Sequence, residues 1–169
     1  MTKQKNMVRL AVGVAALMFT ADAMAATQSV TSNIAFDTPL SITKNADINF
    51  GTVAAGIAGT YTISTAANIT TVGGNWLYGS KAAGSLTIAG STNDTINISV
   101  GSYTAANGVT PANATCAYAG GAEGSCTLSS VAAPGTGKAL LLGVSATVDG
   151  TQAAGSTAAP SFTVTVTYM

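Results

Sequence analysis

Two cysteines, five carboxylates and the lack of any histidine set the chemical limits of this sequence beyond its first 25 residues. Cys116 and Cys126 could hold a metal, exchange electrons or join to each other. Metal or redox service normally comes with a C-x-x-C spacing or a histidine partner, and neither is present. A disulfide closing the Gly-rich loop from Ala117 to Ser125 is the expected state in an exported chain, contributing about 3 kcal/mol on the chain-entropy model. The lack of histidine also removes Ser-His and Cys-His nucleophilic pairs. Paired carboxylates could run acid–base hydrolysis. However, Asp37, Asp47, Asp94, Glu123 and Asp149 each stand beside a turn signal or in a polar stretch, which reads as solvated loop charge.

Other motifs are weaker. No phosphate-cradling Gly-rich loop and no dinucleotide fingerprint occurs. Asn45-Ala46-Asp47-Ile48-Asn49 lacks the glycine and the distal acid of a calcium loop. Asn68, Asn93, Asn97 and Asn113 head Asn-x-Ser/Thr triplets, which a Thr- and Asn-rich chain produces by chance. Trp76 and Tyr78, at alternate positions after Gly73-Gly74, offer a ligand face; a tryptophan buried between sheets is the preferred reading. The expectation is a non-enzymatic protein without cofactor or metal.

The beginning of the chain carries an address. Lys3, Lys5 and Arg9 precede an apolar stretch from Leu10 to Phe19, which closes on Ala23-Met24-Ala25. This is the layout of a secretory signal peptide over residues 1–25, cleaved between Ala25 and Ala26. The apolar stretch is about half the length of a bilayer span, and no second one approaches that length. The expected course is export through the inner membrane to the periplasm, then to the cell surface or an extracellular fibre. Residues 26–169 then make one domain with a real core. Its three lysines, Lys44, Lys81 and Lys138, face five carboxylates, a side-chain balance of −2. That excludes a basic patch for nucleic acid. Only 7% of the full chain is charged, against roughly a quarter in an ordinary globular domain. Such a surface suits a protein covered by neighbours or exposed to a harsh exterior.

Short alternating runs broken by turn residues predict an all-β fold, an antiparallel two-sheet immunoglobulin-like sandwich of about nine or ten strands. Candidate runs are Leu40–Thr43 and Ala46–Val53, split at Lys44-Asn45, then Tyr61–Ser64, Asn75–Tyr78, Ser85–Ala89 and Thr95–Val100. Cys126–Val131, Ala139–Val148 and Ser161–Tyr168 complete the series. Asn107-Gly108 and Asp149-Gly150 tolerate the positive φ that tight turns demand. No 3.6-residue apolar period persists, so no substantial helix is expected. In the closing strand Phe162, Val164, Val166 and Tyr168 share one face and threonines the other. Val30, Ile34 and Phe36 alternate in the same way within residues 26–36, ahead of a domain at 37–169. Alternation alone leaves two readings of that segment: the domain's own first strand, or an extension that pairs elsewhere.

Three stretches carry a resemblance to a family. Leu40 to Val53, the Gly-rich region before Leu86, and Gln152 to Tyr168 with Gly155 and the F-T-V-T-V-T-Y ending resemble the bacterial domain of unknown function 4402. That resemblance implies a secreted β-sandwich. More distantly, the leader, the alternating N-terminal extension, the disulfide and the penultimate aromatic Tyr168 are similar to subunits of chaperone-usher fimbriae. This second resemblance implies a structural subunit of a surface fibre that polymerises by donor-strand exchange. Its partners would be copies of itself or related subunits, a periplasmic chaperone and an outer-membrane usher. The alternative expectation is a free-standing secreted or surface-attached binding module.

Overall fold

The computed structural model describes residues 27–169, so the leader and its Ala25–Ala26 junction lie outside the described residues. A compact unit spans Phe36–Met169. Every regular element described is a strand. In chain order these are β1 (Ser41–Ala46), β2 (Thr52–Val53), β3 (Gly59–Ile63), β4 (Ile69–Val72), β5 (Trp76–Tyr78) and β6 (Gly84–Ala89). There follow β7 (Ile96–Thr104), β8 (Val109–Tyr118), β9 (Gly124–Ser125), β10 (Leu128–Val131), β11 (Lys138–Val148) and β12 (Ser161–Tyr168).

The larger sheet is organised around β11. Leu140, Leu142, Val144, Ala146 and Val148 alternate along it and are buried, so one whole face of the strand looks inward. One edge of β11 carries β8 over most of its length. The other edge carries β6 along Lys138–Leu142 and then β3 along Val144–Val148. The handover falls at Gly143, where a Cβ would collide with the Ile63 carbonyl and the Thr115 hydroxyl. Only glycine lets three strands meet there. β1 is added outside β6, β4 outside β3, and β9 beside part of β8.

The second sheet is β10-β7-β12, and β2 with β5 forms a small third one. Ile96 and Ile98 of β7 meet Ile63, Leu86, Ile88, Leu140, Leu142 and Val144 of the large sheet in one core. Each such side chain contributes about 1.5 to 3 kcal/mol by leaving water, so this contact makes the two sheets a sandwich. All pairings are antiparallel. Asn107 (φ 46°) and Gly108 (φ 68°) supply the doubly positive turn that joins β7 to β8.

The described strands number twelve, more than the nine or ten expected. β2 and β9 are too short to show periodicity. β8 was hidden because Val109–Tyr118 mixes Thr, Ala and Asn around Pro111. Pro111 is tolerated because β9 reaches β8 only at Thr115 and Cys116, so the proline lies on a stretch of β8 whose second edge carries no strand among the described residues. β1 runs through Lys44-Asn45 without a break, absorbing the irregularity as a register shift between Lys44 and Ala46. Beyond it, Ala46–Val53 is no single strand: it holds one bridge, Asn49 to Ala82, and then β2. Trp76 is half-buried outside the main core. Its indole donates to the Phe50 carbonyl at 2.8 Å, and Lys81 Nζ lies 5.0 Å from its ring centroid, which places it on the small sheet and not between the two large ones.

Cys116 of β8 and Cys126 form the expected disulfide, with Cα atoms 5.2 Å apart and a sequence separation of 10. It ties β8 to the residue just after β9, at the start of the segment leading into β10. Replacing both cysteines by alanine is expected to cost about 3 kcal/mol by freeing that loop in the unfolded chain. Urea unfolding should register this as a midpoint lowered by about 1.5 M with little change in slope.

Candidate functional site: an open seam beside the last strand

β12 is built from residues that all favour the extended backbone. Its threonines Thr163, Thr165 and Thr167 are exposed, while Phe162, Val164, Val166 and Tyr168 turn inward and pack on the core, yet remain only half-buried. One edge of β12 pairs with β7 from Ser161 to Tyr168. Among the described residues no strand occupies its other edge. Tyr103 leans on Phe162 with ring centroids 5.8 Å apart. At the far end the Tyr168 hydroxyl accepts from the Ser91 amide and donates to the Thr38 carbonyl.

A second rim faces this free edge. It starts at Thr38 and Leu40, beside Tyr168, and it ends at Gly56, whose amide donates to the Gln152 carbonyl at 3.0 Å. Between these two tie points β1 pairs only with β6, and β12 pairs only with β7. No backbone hydrogen bond joins the rims along the way among the described residues. Ile42 of β1 stands opposite Ile88, which is wholly buried, so both point inward; Ile42 is nonetheless 42% exposed. Outside β12, next to Pro160 just before it, an open cavity of about 730 Å³ is walled by Phe50, Val53, Val109, Ala146, Val148 and Pro160 among others. The inward side chains of β12 are apolar, whereas the other rim sets Leu40 and Ile42 beside the charged pair Lys44 and Asp47.

Native edges are normally blunted by charge, proline or bulges. β1 follows that rule: Lys44 bridges Asp47 at 2.8 Å, and the bulge sits in the same place. β12 has no charged residue and no proline, and its one register irregularity lies at its start, between Ser161 and Thr163. Its eight residues present roughly 25 Å of unpaired backbone above half-covered apolar side chains.

The other residues singled out by type fall elsewhere. Val30 (92% exposed), Ile34 (73%) and Phe36 (91%) lie in a stretch without strand structure among the described residues. Asp37 and Asp94 come together around Ser91. Their mutual hydrogen bond holds Asp37 below the ordinary carboxylate value and Asp94 above it. Asp149, bonded by the Thr151 amide and hydroxyl and by Gln152, is also held low. Among the described residues no three His, Cys, Asp or Glu side chains gather as metal ligands, and no helix is long and apolar enough to cross a membrane.

Glu123 is the best-bonded acid. Its carboxylate accepts from the Thr115 hydroxyl at 2.6 Å, the Thr65 hydroxyl at 2.8 Å and the Thr65 amide at 3.1 Å. The Thr115 bond is the largest cause of a pKa below the ordinary 4.5. A carboxylate lowered in the folded state adds stability above its ordinary value and loses it as pH falls through the folded value. Glu123→Gln should therefore lower the melting temperature at pH 7 and do so less at pH 3. An equal loss at both values would remove Glu123 from the acid response.

Sequence reasoning found β12, the cysteines and the runs Leu40–Thr43 and Ala46–Val53, but not that those runs form a rim across from β12. The signal was present in the two-residue apolar spacing of Leu40 and Ile42, and again of Ile48 and Phe50. The cavity left no such mark, because its walls come from five separate segments.

Fold and site together define a disulfide-linked antiparallel β-sandwich with one unblunted edge. The model of the family described as a domain of unknown function (DUF4402) matches residues 40–168, and the chain belongs to that family. That span starts at Leu40, two residues into the rim, and ends on the last residue of β12. Comparison with curated proteins and with solved structures returns no match.

Proposed function

We propose that this protein is a non-enzymatic structural subunit of a bacterial surface fibre, exported through the inner membrane and polymerised by strand exchange. The alternating segment from Ala26 to Phe36 of one subunit enters the seam of the next and pairs with β12. The observation that carries this reading is the free, uncharged edge of β12 above apolar side chains that are only half-covered. An added strand satisfies both deficits at once: its backbone completes the ladder, and its alternate side chains fill the groove. Val30, Ile34 and Phe36 supply those side chains and stand exposed in the single chain. Copies of the chain or related subunits are the partners, with a periplasmic chaperone to shield the seam before assembly and an outer-membrane usher to release the fibre.

Mature protein run unboiled on a denaturing gel is expected to give a ladder of multimers. Deleting residues 26–36 should collapse the ladder to one band while the circular dichroism of the sandwich persists. A single band from the intact mature chain would count against the fibre and favour a free-standing binding module.

A further inference from the structure

Three amide side chains and a tyrosine gather where the small sheet meets one end of β8 and β11. Asn49 precedes β2, Tyr78 closes β5, Asn107 sits in the turn before β8, and Gln152 follows β11. All four line the open cavity of about 730 Å³, a size within the range of about 300 to 1,000 Å³ that ligand sites occupy. Part of its wall is apolar: Ala146 and Val148 of β11 are buried there, with Phe50, Val53 and Val109 beside them. Residues 153–158 supply another part, and their small side chains (Ala, Ala, Gly, Ser, Thr, Ala) leave the space open. None of the lining residues belongs to β12 or to residues 26–36, so the cavity stands apart from strand exchange.

Charge decides first what this space accepts. No Lys, Arg, Asp or Glu lines it, so a phosphate, carboxylate or ammonium group entering it would lose hydration and gain no opposite charge. The amides decide next. Asn49 Oδ1 accepts from the Gly51 amide, and Asn107 Nδ2 donates to the Thr157 carbonyl, which leaves the other atom of each amide for a guest. Gln152 Nε2 donates to the Asn107 carbonyl at 2.8 Å and to Asp149 at 2.7 Å, while its Oε1 is covered and has no hydrogen-bond partner among the described residues. A purely aliphatic guest would bury these groups unpaired, a cost that a guest with hydroxyls removes. Tyr78, 66% exposed, adds a ring face and a hydroxyl at the opening. We infer that the cavity binds an uncharged saccharide, one ring lying with its C–H face on Tyr78 and the apolar wall and its hydroxyls bonded to Asn49, Asn107 and Gln152. A pyranose joins apolar C–H faces, many donors and acceptors, and no charge in one compact body, which is the combination these walls require.

The molecule carries its own reporter. Trp76 is the single tryptophan; its indole bonds the Phe50 carbonyl and lies beside Gly51, and both of those residues line the cavity. Mature protein is titrated with glucose, galactose, mannose, N-acetylglucosamine, maltose, cellobiose, lactose and chitobiose, with 1-octanol as the aliphatic probe. At least one sugar is expected to give a saturable change in Trp76 fluorescence, and to move the side-chain amide signals of Asn49 and Asn107 in nitrogen-15 NMR spectra. Tyr78→Ala should weaken that binding at least tenfold, and Tyr78→Phe, which keeps the ring, by less. Ala154→Phe, an exposed loop position on the lining, should fill the space and abolish binding, whereas Ala159→Phe, exposed but outside the lining, should leave it unchanged. No saturation by any of the sugars up to about 10 mM, saturation by 1-octanol alone, or full sugar binding by Ala154→Phe would each overturn the assignment. The gel ladder of multimers is read separately, so loss of either result leaves the other standing.

Discussion

Val164→Lys is expected to abolish the ladder of multimers while leaving the monomer folded. Val164 lies at the middle of β12, stands opposite Val100, and points inward on a half-covered face. In the monomer a lysine there can reach water past the open edge, so the cost is limited to the lost valine contact, about 1 kcal/mol. In the polymer the added strand covers that exit. The ammonium is then buried among apolar side chains without a carboxylate partner, a penalty of several kcal/mol. A difference of that size is a factor of at least a thousand in association. Thr165→Ser, one residue on and facing outward, serves as the control and should keep the ladder. If Val164→Lys multimerises as well as the control, the inward face of β12 is not the assembly surface.

The same contrast explains what could be read in advance. Where a strand alternates strongly, as in Ser161–Tyr168 or Ala139–Val148, its pattern is written by the one face it buries, and both were legible as strands. β1 was read as two pieces because Lys44-Asn45 looks like a turn, whereas a bulge lets the strand continue through it. β8 escaped because its inward positions are Ala114, Cys116 and Tyr118 behind a proline, a small-residue pattern that tertiary contact with β11 makes possible and local preference does not favour. Trp76 was misplaced for the opposite reason. Its bulk argues for a core position, but its indole finds the Phe50 carbonyl on the small sheet. The free edge of β12 has no sequence signature by itself, because an unpaired strand and a paired one read alike. Only the placement of the Thr38–Gly56 rim, tied to β12 at Tyr168 and to Gln152 ahead of it, with no backbone bond between among the described residues, exposes the seam.

Leu140→Ala is expected to destabilise the monomer by about 3 to 4 kcal/mol, and Val166→Ala by about 1 kcal/mol. Leu140 is fully buried in β11, flanked by Leu86 of β6 and Tyr118 of β8, so truncation leaves a hole that close-packed neighbours cannot fill. For a single domain whose total stability is about 5 to 15 kcal/mol, this is a large share. Val166 is equally apolar and faces the same core from β12, but water already reaches it along the open edge. Urea unfolding of monomer lacking residues 26–36 separates the two. In the full-length polymer the ranking should narrow, because a strand laid over the seam buries Val166 and leaves Leu140 unchanged. Comparable losses for both residues in the truncated monomer would mean that the seam is already closed without a partner, and the case for exchange would end there.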